Sequence, residues 1–348
     1  MSSVGAEGAG TVAVRVHRGR ARPAAWDALL SAAPSPDFTH RAVWTCTLAE
    51  RLPGRTGLWL LAEVAGIAVA GMVLLETRRG PFRVIEGHYD GTCGAPLVAG
   101  GLPAEAAEAA VAALMAELAE AVRSPLVLSA ALHLPPAWDR SLEPALKDMG
   151  FTRQAVPVAV MPLRLGLEHV ERNLLKKNRR NERNKALRRG CVTGVTDDPA
   201  VIEEFYPIYQ EATRRWGVDA VGRDLLTDLL AGGEGRVFCT TVRFEGDLLG
   251  AHYNFADDDT VTAWLAATVP ARSKEFFPST LLVWTDLEEA CRRGAAWLDL
   301  GAHGGQAGVA NFKKLVGAEE LIRGCYTRHA AGGRIWRLTR RLRRRWRP

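Results

Sequence analysis

The order of elements in this 348-residue chain is written twice, and that repetition restricts its fold more than any other feature. In the first half, helical stretches near 23–30 and 41–51 precede a hairpin, Leu58–Val64 and Ile67–Glu76, turning at Ala65-Gly66. A strand at Phe82–His88, a helix over 103–122, a strand at Leu126–Leu132, a helix stopping at Gly150 and a strand at about Gln154–Leu163 follow. In the second half, helices at 200–215 and 223–230 lead into strands Val237–Phe244, Leu248–Phe255 and Thr260–Ala267, with turns at Glu245-Gly246-Asp247 and Asp257-Asp258-Asp259. Helix Pro278–Arg293, strand Ala296–Leu300, a short helix around Asn311–Val316 and a strand around Leu321–Arg328 close it. The hairpins at Gly66 and Gly246 correspond, as do Leu146–Gly150 and Lys313–Gly317. The pattern predicts an α/β chain made of a duplicated unit of about 150 residues. The expected division is 1–165, then 166–330 opened by a basic helix at 172–189, then a tail at 331–348.

Charge is concentrated rather than spread. Residues 172–189 hold nine Lys/Arg against one acid, Glu182, and 334–348 hold eight Arg and no acid. The net charge is only +6, so the rest of the chain is acidic, and two separate segments look for a polyanion. A content of 47% hydrophobic and 24% charged residues excludes disordered and fibrous classes. No apolar run reaches the ~18–20 residues of a membrane span, and 1–22 lack the apolar core of a signal peptide. Six scattered cysteines without a C-x-x-C pair suggest neither disulfides nor a metal site, so a cytoplasmic protein without metal is expected.

Three stretches carry a family resemblance. Asn173–Gly190 is a basic helix ending in two arginines, a spacer and glycine; Arg214-Arg215-Trp216-Gly217 follows; Asp299-Leu300-Gly301 precedes Phe312-Lys313 and Gly317. In this order they resemble the Fem family of aminoacyltransferases and the related BioF-like acetyltransferase domains, in the compact branch without a long helical arm. The resemblance covers about residues 40–330 and implies tandem GNAT-like (acetyltransferase-fold) units. It also implies transfer of an acyl group, often aminoacyl from tRNA, to an amine or hydroxyl of a small-molecule or peptidoglycan-precursor acceptor.

Acyl transfer from an ester needs aligned reactants, a donor for the oxyanion and a path for one proton. The family's Phe-Lys pair falls on Phe312 and Lys313, which implies that Lys313 stabilises charge and Phe312 binds substrate. Asp299 ends a strand, and His303 sits in the loop Gly301–Gln306; both are candidates for proton handling, as is His252, which with Tyr253 in the same strand is also a substrate-binding candidate. Tyr89 and Asp90, in a loop before Pro96-Leu97, resemble the family's acceptor loop. Arg214 and Trp216 are further binding candidates. Lys176, Lys177, Arg179, Arg180, Arg183, Arg188 and Arg189 are expected to meet tRNA.

Acetyl-CoA enzymes of this fold hold pyrophosphate in a glycine-rich turn at a helix N-terminus, but Pro270–Pro278 contains no glycine. The expected co-substrate is therefore aminoacyl-tRNA, with no bound cofactor. An acyl-CoA or acyl-carrier N-acyltransferase, whose phosphates Arg272 and Lys274 would hold, is the alternative. A non-catalytic nucleic-acid-binding protein is a third reading. In the tail, Ile335, Leu338, Leu342 and Trp346 alternate with arginines, which suits RNA, an anionic membrane surface or plain solvation.

Overall fold

The computed structural model describes residues 11–87 and 89–330. The tail expected at 331–348 lies outside the described residues. In chain order the first half holds β1 (Ala13–Gly19), α1 (Ala24–Ala32), α2 (Ala42–Arg51), β2 (Arg55–Val64), β3 (Ile67–Arg79), β4 (Phe82–Glu86), β5 (Leu97–Val98), α3 (Ala104–Arg123), β6 (Val127–Leu134), α4 (Pro136–Asp148) and β7 (Thr152–Pro162). The second half holds α5 (Gly166–His169), α6 (Lys177–Arg188), β8 (Val192–Thr196), α7 (Val201–Trp216), α8 (Arg223–Gly232), β9 (Val237–Phe244), β10 (Asp247–Ala256), β11 (Thr260–Thr268), α9 (Ser273–Phe276), α10 (Pro278–Arg292), β12 (Trp297–Ala302), α11 (Ala307–Leu315) and β13 (Glu319–His329). Apart from the two-residue β5, the opening helices α5 and α6 and the short α9, the two halves repeat strand, two helices, three strands, helix, strand, helix, strand. This is the tandem GNAT-type α/β fold that the sequence predicts. The pattern reading missed β1 and β8, the strand that opens each repeat.

Among the described residues, one compact unit comprises 11–87, 89, 93–154 and 324–330; the other comprises 90–92 and 155–323. In the first, the sheet runs β1-β2-β3-β4-β6 and ends on residues 324–329 of β13, with β5 on β3. In the second it runs β7-β12-β11-β10-β9-β8. A cut at 165/166 therefore misassigns the last strand of each repeat. Residues 158–162 of β7 pair antiparallel with β12, and residues 324–329 of β13 pair antiparallel with β6. Each repeat is completed by the other's closing strand. Local sequence encodes that a segment is extended, not which edge accepts it.

In the first unit, β2 is a nearly continuous apolar run because both sheet faces are covered. Leu58, Leu60 and Ala62 pack with Leu114 and Leu118 of α3, while Trp59 and Leu61 pack with Trp26 and Leu29 of α1. The Trp26 and Trp59 rings meet edge to face at 4.9 Å. A buried cluster seats β13: Arg153 grips Asp139 with Nε at 3.0 Å and Nη2 at 2.5 Å, and the Tyr326 hydroxyl donates to Asp139 at 2.6 Å. The Arg153 guanidinium holds the Asp139 carboxyl below the usual carboxylate range.

In the second unit, α10 supplies Val283, Trp284, Leu287 and Ala290 to a core closed by Met161 of β7 and Leu298 of β12. The parallel pair β11–β12 is bonded only at Thr260–Thr262 against Trp297–Asp299. Beyond those residues the strands separate, and the gap between their C-terminal halves positions the site.

Candidate active site

The gap becomes a cleft of about 530 Å³, lined from β11 by Trp264 and Thr268, from β12 and its loop by Leu300, Ala302 and His303, and from α11 by Phe312 and Lys313. All of its lining residues belong to the second unit. The loop after β12 turns on Gly301, Gly304 and Gly305 at φ of 70°, 58° and 77°, a region that favours glycine and lets the chain double back into α11.

Lys313 enters the cleft as expected, but its ammonium is engaged. Nζ donates to the carbonyls of Leu300 at 2.6 Å, Gly301 at 3.0 Å and Ala302 at 2.8 Å, which uses all three of its protons. Burial pulls its pKa down to about 8 against the opposing field of Asp299. Lys313 thus fixes the loop and places a positive charge in the cleft; it is not a spare hydrogen-bond donor. The Phe312 ring lines the cleft beside it, with the Arg179 guanidinium 5.1 Å from the ring centre.

The two cleft histidines present different tautomers. The Gly305 N–H donates to Nδ1 of His303 at 3.1 Å, so the neutral ring carries its proton on Nε2. His252, 6% exposed on β10, lies 2.5 Å through Nδ1 from a carboxylate oxygen of Asp286 on α10. Asp286 is a partner that sequence reading missed. It stands 34 positions away and looks like one more polar residue on an amphipathic helix, so only the packing of α10 on the sheet brings the two together.

Asp90 also lines the cleft, with φ of 47°, and its carbonyl accepts from Trp264 Nε1 at 2.9 Å. Burial pushes its carboxyl up. Trp216, 43% exposed, stands at the rim.

Four expected site residues lie elsewhere. Asp299 is 2% exposed and turned away from the lining; it accepts from Gly301 N at 2.8 Å and is paired with Arg323, so it braces the loop. Tyr253 is fully buried and donates to Leu226 O at 2.8 Å, because its place in β10 points to the opposite sheet face from His252. Arg214 is exposed outside the cleft, and its neighbour Arg215 lines it instead. Tyr89 belongs to the first unit, where its ring is 6.2 Å from that of Trp44 and 5.1 Å from the Arg55 guanidinium.

The basic helix is not solvated all round. Arg183 is stacked on Trp284 at 4.1 Å and paired with Glu171 at 2.5 Å, its side chain 11% exposed. Arg179 pairs with Glu182 at 2.6 Å, and Arg180 caps the Glu171 carbonyl at 2.9 Å. Arg189 is tied to the Glu275 carbonyl. Lys176, Lys177 and Arg188 are exposed and make no ion pair among the described residues. Helical periodicity explains the split: α6 needs one face to dock on α10, and cations with long apolar stems cover it.

The start of α10 faces a carboxylate of the protein itself. Pro278 removes one N–H, and the Glu182 carboxylate takes the Thr280 hydroxyl at 2.8 Å in the first turn. Arg272, a candidate phosphate holder, is stacked 5.5 Å and 4.6 Å from the ring centres of Phe244 and Phe276. Among the described residues there is no cluster suited to a metal ion, and no helix is long and apolar enough to cross a membrane.

Residues 172–314 match the family model described as an acetyltransferase (GNAT) domain. Among solved structures, the chain is similar to the crystal structure of FemX with a TM-score of 0.67, at 13% identity over 90% of this chain and 96% of that one. It is also similar to a tandem GNAT protein from the clavulanic acid biosynthesis pathway, with a TM-score of 0.56 at 13% identity over 91% and 98%. A third likeness is to the C-terminal domain of a putative lysylphosphatidylglycerol synthetase from Agrobacterium fabrum, with a TM-score of 0.51 at 14% identity over 76% and 83%. At such identities these likenesses establish the fold. No curated protein matches the sequence.

Proposed function

We propose, for a chain that carries an acetyltransferase (GNAT) domain at residues 172–314 within a Fem-type fold, that its activity is acyl transfer and its donor an aminoacyl-tRNA. The acceptor is an amine, or a hydroxyl, of a small molecule or peptidoglycan precursor. The observation that carries this reading is the cleft at the parting of β11 and β12, which brings together a cation, two histidines of opposite tautomer and the aromatic wall of Phe312 and Trp264.

In this reading the ester carbonyl lies toward Lys313 and the His303 Nε2–H. The fixed charge and the ring donor stabilise the oxyanion that forms as the amine attacks, an effect of about 2–4 kcal/mol for a well-placed donor. Phe312 and Trp264 exclude water from the acyl carbon, and the Asp90 carboxyl at the cleft wall holds the incoming amine. Lys176, Lys177 and Arg188 are the cations left for nucleic-acid phosphates. The tRNA donor is favoured over CoA because the Glu182 carboxylate stands at the first turn of α10, where a pyrophosphate would meet like charge, and Arg272 is committed to two phenyl rings. A cytoplasmic site of action, where charged tRNA is found, goes with this reading.

The test offers the purified protein mixed charged tRNAs and a set of acyl-CoA thioesters, and follows which ester disappears. Loss of an aminoacyl ester, abolished by ribonuclease, is expected. Consumption of a CoA thioester with the tRNAs untouched overturns the donor assignment, and consumption of neither overturns acyl transfer.

A further inference from the structure

The proton released in amide formation has to go somewhere, and one group in the cleft is built to take it. Asp286 is fully buried on α10, and its Oδ1 accepts from the Thr240 hydroxyl at 2.6 Å and from the Asn254 amide at 3.1 Å. Both donors fall on that one oxygen, and the other carboxylate oxygen faces His252 Nδ1 at 2.5 Å. An ionised carboxylate only accepts, so Nδ1 carries the proton and the neutral ring presents a bare lone pair at Nε2. Among the described residues no hydrogen bond takes that Nε2, and His252 lines the cleft. His303, the other imidazole there, is held in the opposite tautomer by the Gly305 N–H and has no lone pair to offer.

We infer that His252 is the general base of the transfer reaction and that Asp286 is its positioning residue. The inference rests on the acyl-transfer reading above. The amine nitrogen attacks the ester carbonyl carbon, the C–N bond forms, and one amine proton passes to Nε2 of His252. The tetrahedral intermediate then collapses, the C–O bond breaks, and the same proton leaves with the departing hydroxyl, so the imidazole ends neutral. The Asp286 carboxylate at Nδ1 orients the ring for this step. A purely structural network would also tie α10 to the sheet, but it would not require a cleft-facing nitrogen in the accepting form.

Wild-type enzyme is assayed first with whichever donor the ester screen identifies. If it consumes no acyl ester, the acyl-transfer reading fails and this inference with it. Given an active wild type, His252→Gln is expected to lower kcat by about 10²–10⁴-fold with donor KM changed less than about threefold. Asp286→Asn is expected to lower kcat at least about tenfold, because the amide favours the wrong tautomer. Imidazole added to His252→Ala is expected to restore part of the rate, which a structural role would not allow. An active His252→Gln enzyme within about threefold of wild type refutes the inference while leaving acyl transfer standing. Should the variants not fold, nitrogen NMR of wild-type His252 decides: protonated Nδ1 and bare Nε2 at neutral pH uphold the inference, and the reverse tautomer overturns it.

Discussion

Lys313→Met is the perturbation that separates the structural and catalytic parts of the cleft. Methionine keeps much of the length and apolar volume of the stem while removing the charge. What is lost is one ammonium and its bonds of 2.6, 3.0 and 2.8 Å to the carbonyls of Leu300, Gly301 and Ala302. A bond from a charged donor contributes about 1.5–3 kcal/mol. Three bonds from one ammonium share a single charge, and the carbonyls they leave lie on an open cleft where water replaces the donor. The loss from the bonds is therefore nearer one bond than three, ~2 kcal/mol; at neutral pH it is offset by release of the burial penalty on the ammonium, so the melting temperature should change little while the loop becomes more protease-sensitive. Turnover should fall at least about tenfold, since a fixed cation beside a developing oxyanion contributes on the order of 2 kcal/mol or more. The pH sign follows from burial, which brings the folded lysine to about 8 from an ordinary value of 10.5. Folding disfavours the charged form, so that penalty is present below about 8 and is relieved as pH rises toward the ordinary lysine range. Across that window wild type should gain stability relative to Lys313→Met while its own turnover declines. Wild-type turnover in the variant, or a wild-type rate that stays flat through pH 8 to 10, refutes the reasoning.

Four further outcomes are expected. Reversing the exposed cations (Lys176→Glu, Lys177→Glu, Arg188→Glu) should reduce the salt dependence of tRNA binding by roughly 2–3 in the log–log slope, measured by filter binding, and leave the melting temperature nearly unchanged. Arg183→Glu, by contrast, breaks the Trp284 stack and the Glu171 pair and should lower the melting temperature by several degrees. Gly324→Ala would put a Cβ 2.0 Å from Asp139 Oδ1, so it should cost about 3 kcal/mol and unseat β13 from β6, seen as faster amide exchange in residues 324–329. Because the folded pKa of Asp139 is lowered by Arg153, its contribution is present at neutral pH and is lost as pH falls through that lowered value; Asp139→Asn should flatten the acid limb of the stability curve followed by urea denaturation.

Periodicity and punctuation alone established the repeated strand–helix order, because β2, β3, β9 and β10 are buried on both faces and read as long apolar runs between glycine turns. They also marked the stretch from Asp299 to Lys313, whose glycines and lysine stand close together in the chain. The opening strands β1 and β8 escaped because they are only half-buried edges, and β8, Val-Thr-Gly-Val-Thr, has no apolar face to betray it. Composition counted nine cations in the basic segment but could not say which faced water. That followed from α6 docking on α10, which spent Arg179, Arg180 and Arg183 on rings, carboxylates and carbonyls. The exchanged closing strands, the turn of buried Asp299 away from the cleft and the pairing of His252 with Asp286 were decided only by tertiary structure. Each depends on two segments that are remote in sequence meeting at one distance, and a one-dimensional pattern records what each segment is without recording what it meets.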